Sequence, residues 1–172
     1  MNFVLKVIQY FFKILSWIAV AAIVVFIAVA APLIAGFHPM VVLSGSMEPT
    51  YPVGSVVYYK SCSFEELQVG DAITFQAGDS LVTHRITTVN GISRNVITKG
   101  DNNSSEDPSP VEADLIKGRT AKIKLPYLGF FVQFCKSPPV LICIAIVLIA
   151  DYLLGALLSK PETKEKPEIK EE

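Results

Sequence analysis

Charge is missing from one long stretch of this chain and reduced to a single aspartate in another, and a cationic surplus is missing from all of it. Lysine and arginine number 15 against 16 aspartates and glutamates, for a net charge of −1. No basic stripe with interleaved aromatics appears, so nothing supports nucleic acid as a partner. Cysteine is also scarce. Cys62, Cys135 and Cys143 offer no even-numbered disulfide framework, which leaves the redox compartment undecided. No internal repeat divides the chain.

The charge-poor stretches are informative in themselves. Residues 14–34 carry no charge and only Ser16 as a polar side chain, a run long enough to cross about 30 Å of hydrocarbon at roughly 1.5 Å per residue. Residues 140–158 form a second such stretch, interrupted by Asp151 toward its end, where the side chain reads as snorkelling rather than functional. A cleaved signal peptide is the rival reading of the first stretch, since Lys6 and Lys13 precede it and small residues end it. The run exceeds the roughly 7–15 residues of a signal-peptide core, which favours a retained anchor. Lys6 and Lys13 before the span, with no Lys or Arg between Phe37 and Lys60, place the N-terminus on the cytoplasmic side. The expected organisation is a cytoplasmic segment 1–13, a membrane helix 14–36, an outer domain 37–137, a second membrane helix 138–159 and a charged cytoplasmic tail 160–172. The tail mixes Lys and Glu without aromatics and reads as solvated.

The segment between the anchors is built of short β-branched or aromatic runs punctuated by Gly, Pro, Asn and Asp. Strands are expected at 39–43, 55–59, 72–75, 81–89, 93–98 and 118–124. Pro52-Val53-Gly54 reads as a turn and Asn90-Gly91 as a tight hairpin. Residues 63–67 read as a short helical turn with Ser63 as its cap. Residues 127–132 are apolar and aromatic; they fit either the outer membrane surface or a last buried strand, with Pro138-Pro139 marking entry to the second span.

Three blocks carry the chemistry: Ser44-Gly45-Ser46-Met47-Glu48-Pro49-Thr50, Thr83-His84-Arg85-Ile86, and Lys99-Gly100-Asp101-Asn102-Asn103. An alcohol is a poor nucleophile near neutral pH, so a catalytic Ser46 needs a base, a group that holds the base, and donors for the developing oxyanion. Two histidines could supply the base. His38 sits at the end of the first span and reads as a membrane-edge residue, whereas His84 lies in an alternating, strand-like run. Asp101 and Asp107 occupy an Asn/Ser/Pro-rich loop where turn formation is the ordinary duty of such residues. Glu106 stands beside Asp107.

Together the three blocks resemble type I signal peptidases, in the branch typical of the endoplasmic reticulum, archaea and some Gram-positive bacteria, where histidine replaces the lysine base. The resemblance runs from the first apolar segment to about Leu128. It implies a mainly β, signal-peptidase-like antiparallel catalytic domain flanked by an N-terminal and a C-terminal transmembrane helix. It also implies a membrane-bound serine endopeptidase that cleaves signal peptides from secretory preproteins after small residues. Ser46 is then the nucleophile, His84 the base and Asp107 the acid that orients it, chosen over Asp101. Asp101 braces the loop or the base, and Ser44 assists the oxyanion. Lys60 and Lys99 do not stand in the block that aligns with a lysine base. No metal or organic cofactor is implied. The implied partners are preproteins, the lipid bilayer and the translocation machinery. The site faces outward from a cell membrane, or into the lumen of the endoplasmic reticulum. A processing protease for a few exported substrates and a non-catalytic adaptor for translocating chains are the alternatives.

Overall fold

Alternation of apolar side chains between residues 37 and 125 produces one antiparallel sheet. The computed structural model describes residues 3–158; the expected tail 160–172 lies outside the described residues. The strands are β1 (Phe37–Val41), β2 (Val56–Lys60), β3 (Ala72–Ala77), β4 (Ser80–Asn90), β5 (Asn95–Lys99), β6 (Val111–Glu112) and β7 (Ile116–Leu125). Their order across the sheet is β1-β2-β7-β3-β4-β5-β6. The last long strand therefore inserts between β2 and β3. The sheet curls, and Met40 Sδ of β1 meets the hydroxyls of Thr74 on β3 and Thr83 on β4, each at 3.5 Å.

Both faces of the sheet are covered. On β3, Ile73 and Phe75 join Leu67, Ile86, Val96 and Val111 in one cluster, while Ala72 on the opposite face packs with Met47, Tyr51 and Val57 in another. A third cluster places Val56 and Tyr58 of β2 against Val29 and Val132. Val57 and Ile73 have no exposure at all, and burial of that kind stabilises by about 1.5–3 kcal/mol per side chain. Tyr58 Oη donates to Val29 O at 3.0 Å, so the aromatic ring is buried without stranding its hydroxyl.

Among the described residues, two helices are long and apolar enough to cross a membrane. α1 (Phe3–Ala30) continues into a 3₁₀ turn at Ala31–Ala35, and α3 (Pro138–Leu158) begins at the proline pair. The first helix starts eleven residues before the expected span and includes Lys6 and Lys13, because residues 3–13 contain no Gly or Pro to stop it. The described residues divide into two units, residues 3–23 with 138–158, and residues 24–137. The last turns of α1 belong with the sheet, where Phe26 and Val29 are packed.

Three local expectations need revision, and one short strand is new. Residues 127–132 are not a strand: α2 (Leu128–Lys136) buries Gly129, Val132 and Cys135 at helical spacing. Gly129 lies against the backbone of Gly54, with its N–H donating to Gly54 O at 2.8 Å. A Cβ at Gly129 would come within 2.7 Å of that oxygen. The Asn90-Gly91 hairpin is not a two-residue turn; β4 ends at Asn90 and β5 starts at Asn95, with Arg94 in the left-handed region (φ 50°) and Asn90 Oδ1 accepting Ser93 N–H. The 63–67 turn is a 3₁₀ segment, Phe64–Glu66, and Ser63 Oγ donates to the Glu66 carboxylate instead of capping a backbone N–H. The short β6 was not expected, since two residues in a Pro-rich neighbourhood give no periodic signal.

Candidate active site

Met47 explains how the serine turn is held. Ser44 is extended, residues Gly45–Met47 make one 3₁₀ turn, and the Met47 side chain is 2% exposed beneath it. With Met47 pulled inward, Ser46 stays half-buried on top. The turn is then clamped by the 100–102 loop: Asn102 N–H donates to Ser46 O at 2.8 Å and Asn102 Nδ2 to Gly45 O at 3.2 Å. Asp101 N–H points at Met47 Sδ, 3.4 Å away. Ser44 Oγ and Ser46 Oγ lie 3.4 Å apart.

His84 is buried on β4, in a strand that lies against the serine turn. Its Nδ1 is 2.6 Å from Asp107 Oδ2, and the same oxygen accepts Thr98 Oγ1–H at 2.6 Å. Asp107 N–H donates to Thr98 O at 2.8 Å, so the aspartate is fixed to β5 through both side chain and backbone. A carboxylate can only accept, which puts a proton on Nδ1, so that in the neutral imidazole Nε2 is the nitrogen with the lone pair. The Phe75 ring stands edge-on to the imidazole at 6.2 Å. Among the described residues no hydrogen bond joins Ser46 Oγ to His84. Such contacts are often loose without substrate.

Arg85 follows His84 on the strand and therefore points to the other face. That alternation sorts the two aspartates of one loop. Asp101 receives Arg85 Nε at 2.7 Å and Nη2 at 2.6 Å as a two-pronged pair, and Thr50 Oγ1–H at 2.5 Å. Arg85 Nη1 continues to Gly70 O at 2.8 Å. Hydrogen bonding by Arg85 holds the Asp101 carboxyl below the usual range, outweighing burial, and Thr50 assists. Lys124 Nζ donates to Thr50 O at 2.6 Å, tying β7 to the same corner. Burial chiefly pushes the Tyr51 hydroxyl up; that hydroxyl donates to Ala121 O at 3.0 Å. Thr98, Asn102, Thr50, Arg85 and Lys124 had no assigned role in the sequence reading. Thr50, Arg85 and Asn102 lie inside the three motif blocks, whereas Thr98 and Lys124 carry no such signal.

A cavity of about 120 Å³ opens beside Ser46, lined by Met40, Val41, Leu43, Leu81, Val82 and Thr83 among others. The β4–β5 ladder begins only at Arg85↔Lys99, while residues 80–84 pair with β3 on their other side. β1 likewise pairs with β2 alone. Two strand edges thus flank the cavity. Elsewhere, His38 stacks on Tyr59 at 5.2 Å and Lys60 Nζ lies 5.1 Å from the centre of the Phe37 ring. Lys99 sits opposite Arg85 in the ladder. The three cysteines are free. Among the described residues no group of three His, Cys, Asp or Glu side chains is placed to hold a metal ion.

A serine on a tight turn and an imidazole held by a carboxylate, carried on the strand that the turn lies against, are the elements serine hydrolases use. The family model for signal peptidase, peptidase S26, matches residues 14–117, and the chain belongs to that family. It is 38% identical over 99 residues to Signal peptidase I W of Bacillus subtilis, covering 55% of this chain and 52% of that one. It is 36% identical over 73 residues to the signal peptidase complex catalytic subunit SEC11 of Fusarium vanettenii, covering 40% of this chain and 42% of that one. With subunit SEC11C of Rattus norvegicus it shares 28% over 128 residues, 67% of this chain and 66% of that one. These relatives place it in the branch of the family shared by sporulating bacteria and the endoplasmic reticulum. The chain spans about half the length of the first two relatives.

Proposed function

We propose that this protein is a membrane-anchored serine endopeptidase that removes signal peptides from secretory preproteins, with Ser46, His84 and Asp107 as its catalytic residues. The observation that carries the proposal is the His84–Asp107 contact at 2.6 Å on a strand lying against the Ser44–Met47 turn. His84 Nε2 takes the Ser46 proton as Oγ attacks the scissile carbonyl. The C–N bond then breaks, and the imidazolium returns its proton to the leaving amine. Water hydrolyses the acyl-enzyme by the same exchange in reverse. Ser44 Oγ, 3.4 Å from Ser46 Oγ, donates to the oxyanion together with a backbone N–H of the turn.

The substrate enters as an extended strand between the free edges of β1 and β4. The small apolar cavity beside Ser46 takes the side chains before the cut, so small residues are preferred at the first and third positions. Both apolar helices span the membrane. Residues 37–137 lie outside, in a cell membrane or, in a eukaryote, on the lumenal side. The partners are the preprotein, the bilayer and the translocation machinery, as a lone enzyme or as one subunit of a complex. Ser46→Ala in the full, membrane-inserted chain tests the reading: cleavage of a model preprotein should fall by several orders of magnitude with the fold unchanged. Full activity would overturn it.

A further inference from the structure

A second cavity, of about 560 Å³, lies on the flank of the sheet between β2, β7 and the 62–72 connection. Lys60, Arg85, Arg119 and Lys122 line it, together with Glu66 and Asp71. Arg85 is committed to Asp101. Both carboxylates approach only Arg119, at 3.8 and 3.6 Å, beyond good hydrogen-bonding distance. Each also has a closer partner, Glu66 with Ser63 Oγ and Asp71 with Gln68 N–H. Lys60 and Lys122 pair with no carboxylate among the described residues. Lys60 and Arg119 are direct cross-strand partners in the β2–β7 ladder, an arrangement of like charges that is unfavourable unless an anion lies between them.

The position of Lys60 indicates where that anion comes from. A Cβ on Gly36 would lie 3.8 Å from Lys60 Cε, and Gly36 closes the 3₁₀ turn that ends the first candidate span. The Lys60 ammonium also lies over the Phe37 ring. With that first helix crossing a bilayer, the cavity would open where the chain leaves hydrocarbon, near the depth of headgroup phosphates.

We propose that this cavity binds the phosphate of an anionic phospholipid headgroup, with Lys60, Arg119 and Lys122 as its cationic ligands. A guanidinium meets two phosphate oxygens at once, and the two ammoniums add point charges on either side. The bound lipid neutralises the opposed Lys60–Arg119 pair and fixes the base of β2 against the bilayer. The site is separate from the serine turn, and the proposal does not depend on the peptidase reading.

Binding of water-soluble dihexanoylphosphatidylglycerol to the full chain in neutral detergent, followed by titration calorimetry, tests it. Dihexanoylphosphatidylcholine and inorganic phosphate serve as the comparison probes. The phosphatidylglycerol should bind and the phosphatidylcholine should not. Each lost lysine should weaken affinity about fivefold, so Lys60→Gln with Lys122→Gln together should weaken it about 25-fold. Both side chains are exposed, and an unchanged unfolding temperature without lipid verifies the fold. Glu66→Gln, which removes a competing charge, should tighten binding. Equal affinity in the wild type and the double variant would overturn the proposal, as would equal affinity for the two lipids. Tight binding of inorganic phosphate that phosphatidylglycerol fails to displace would assign the site to a soluble anion and overturn the lipid reading.

Discussion

Asp107→Asn tests the proposed site with the least disturbance of shape. The carboxylate oxygen facing His84 Nδ1 at 2.6 Å also accepts Thr98 Oγ1–H at 2.6 Å. An amide oxygen in the same place can accept both, so packing is preserved while one negative charge is lost. His84 and Asp107 side chains are 10% and 20% exposed. An effective dielectric near 20 is therefore appropriate, and two unit charges about 4 Å apart interact by about 4 kcal/mol. That stabilisation exists only while the imidazole carries the Ser46 proton, so its loss raises the barrier and slows cleavage about 10³-fold. If the amide instead turns its NH₂ toward Nδ1, the proton moves to Nε2 and the base cannot accept from Ser46, which brings the loss toward about 10⁴. Single-turnover cleavage of a labelled preprotein in detergent measures the effect, with circular dichroism and the unfolding temperature as controls on the fold. A variant within tenfold of the wild type, with an intact fold, would refute the assignment of Asp107. Loss of activity in Asp101→Asn alone, again with the fold intact, would transfer the role to Asp101.

Ser44→Ala should slow the same reaction by on the order of 10²–10³ if its hydroxyl donates to the oxyanion; an unchanged single-turnover rate would return Ser44 to a turn role. Gly100→Ala would place a Cβ 2.6 Å from Ser46 O. The serine turn must then shift, and cleavage should fall by on the order of 10² while the unfolding temperature changes little; a normal rate would show that the turn tolerates displacement. Asp101→Asn should lower the unfolding temperature at neutral pH by breaking the Arg85 and Thr50 contacts. Its folded carboxyl lies below the unfolded value of about 3.9, so its contribution is complete at neutral pH and is lost as pH falls through the folded value. The gap between wild type and variant should accordingly narrow in thermal melts below about pH 4, and a constant gap would show that ionisation of Asp101 is not involved.

The strands were legible because short β-branched and aromatic runs stand between turn-forming residues, with clear alternation in β4. Residues 81–89 were read as a strand and β4 runs Ser80–Asn90; residues 72–75 became β3, Ala72–Ala77. The turn at Gly54 was legible too, since φ +78° selects glycine. Less was visible where structure depends on a distant neighbour. The apolar 127–132 segment has no periodicity long enough to distinguish helix from strand, and the backbone of Gly54 against Gly129 settles it. β6 exists only as a ladder partner of β5.

The candidate site divides the same way. Residue type and local spacing were enough to mark the two long apolar helices, the β-rich segment between them and the side chains proposed for acyl transfer. They could not distribute the partners of those side chains. Asp101 and Asp107 are six residues apart in one loop, and either carboxylate could have met either neighbour of the His84-Arg85 pair. The fold separates them: alternation sends His84 and Arg85 to opposite faces, and the loop delivers Asp107 to the first and Asp101 to the second. The clamp on Ser46 was equally invisible: it depends on Asn102 reaching back across 55 intervening positions to a backbone carbonyl, a contact set by how the sheet curls and carried by no local pattern of residues.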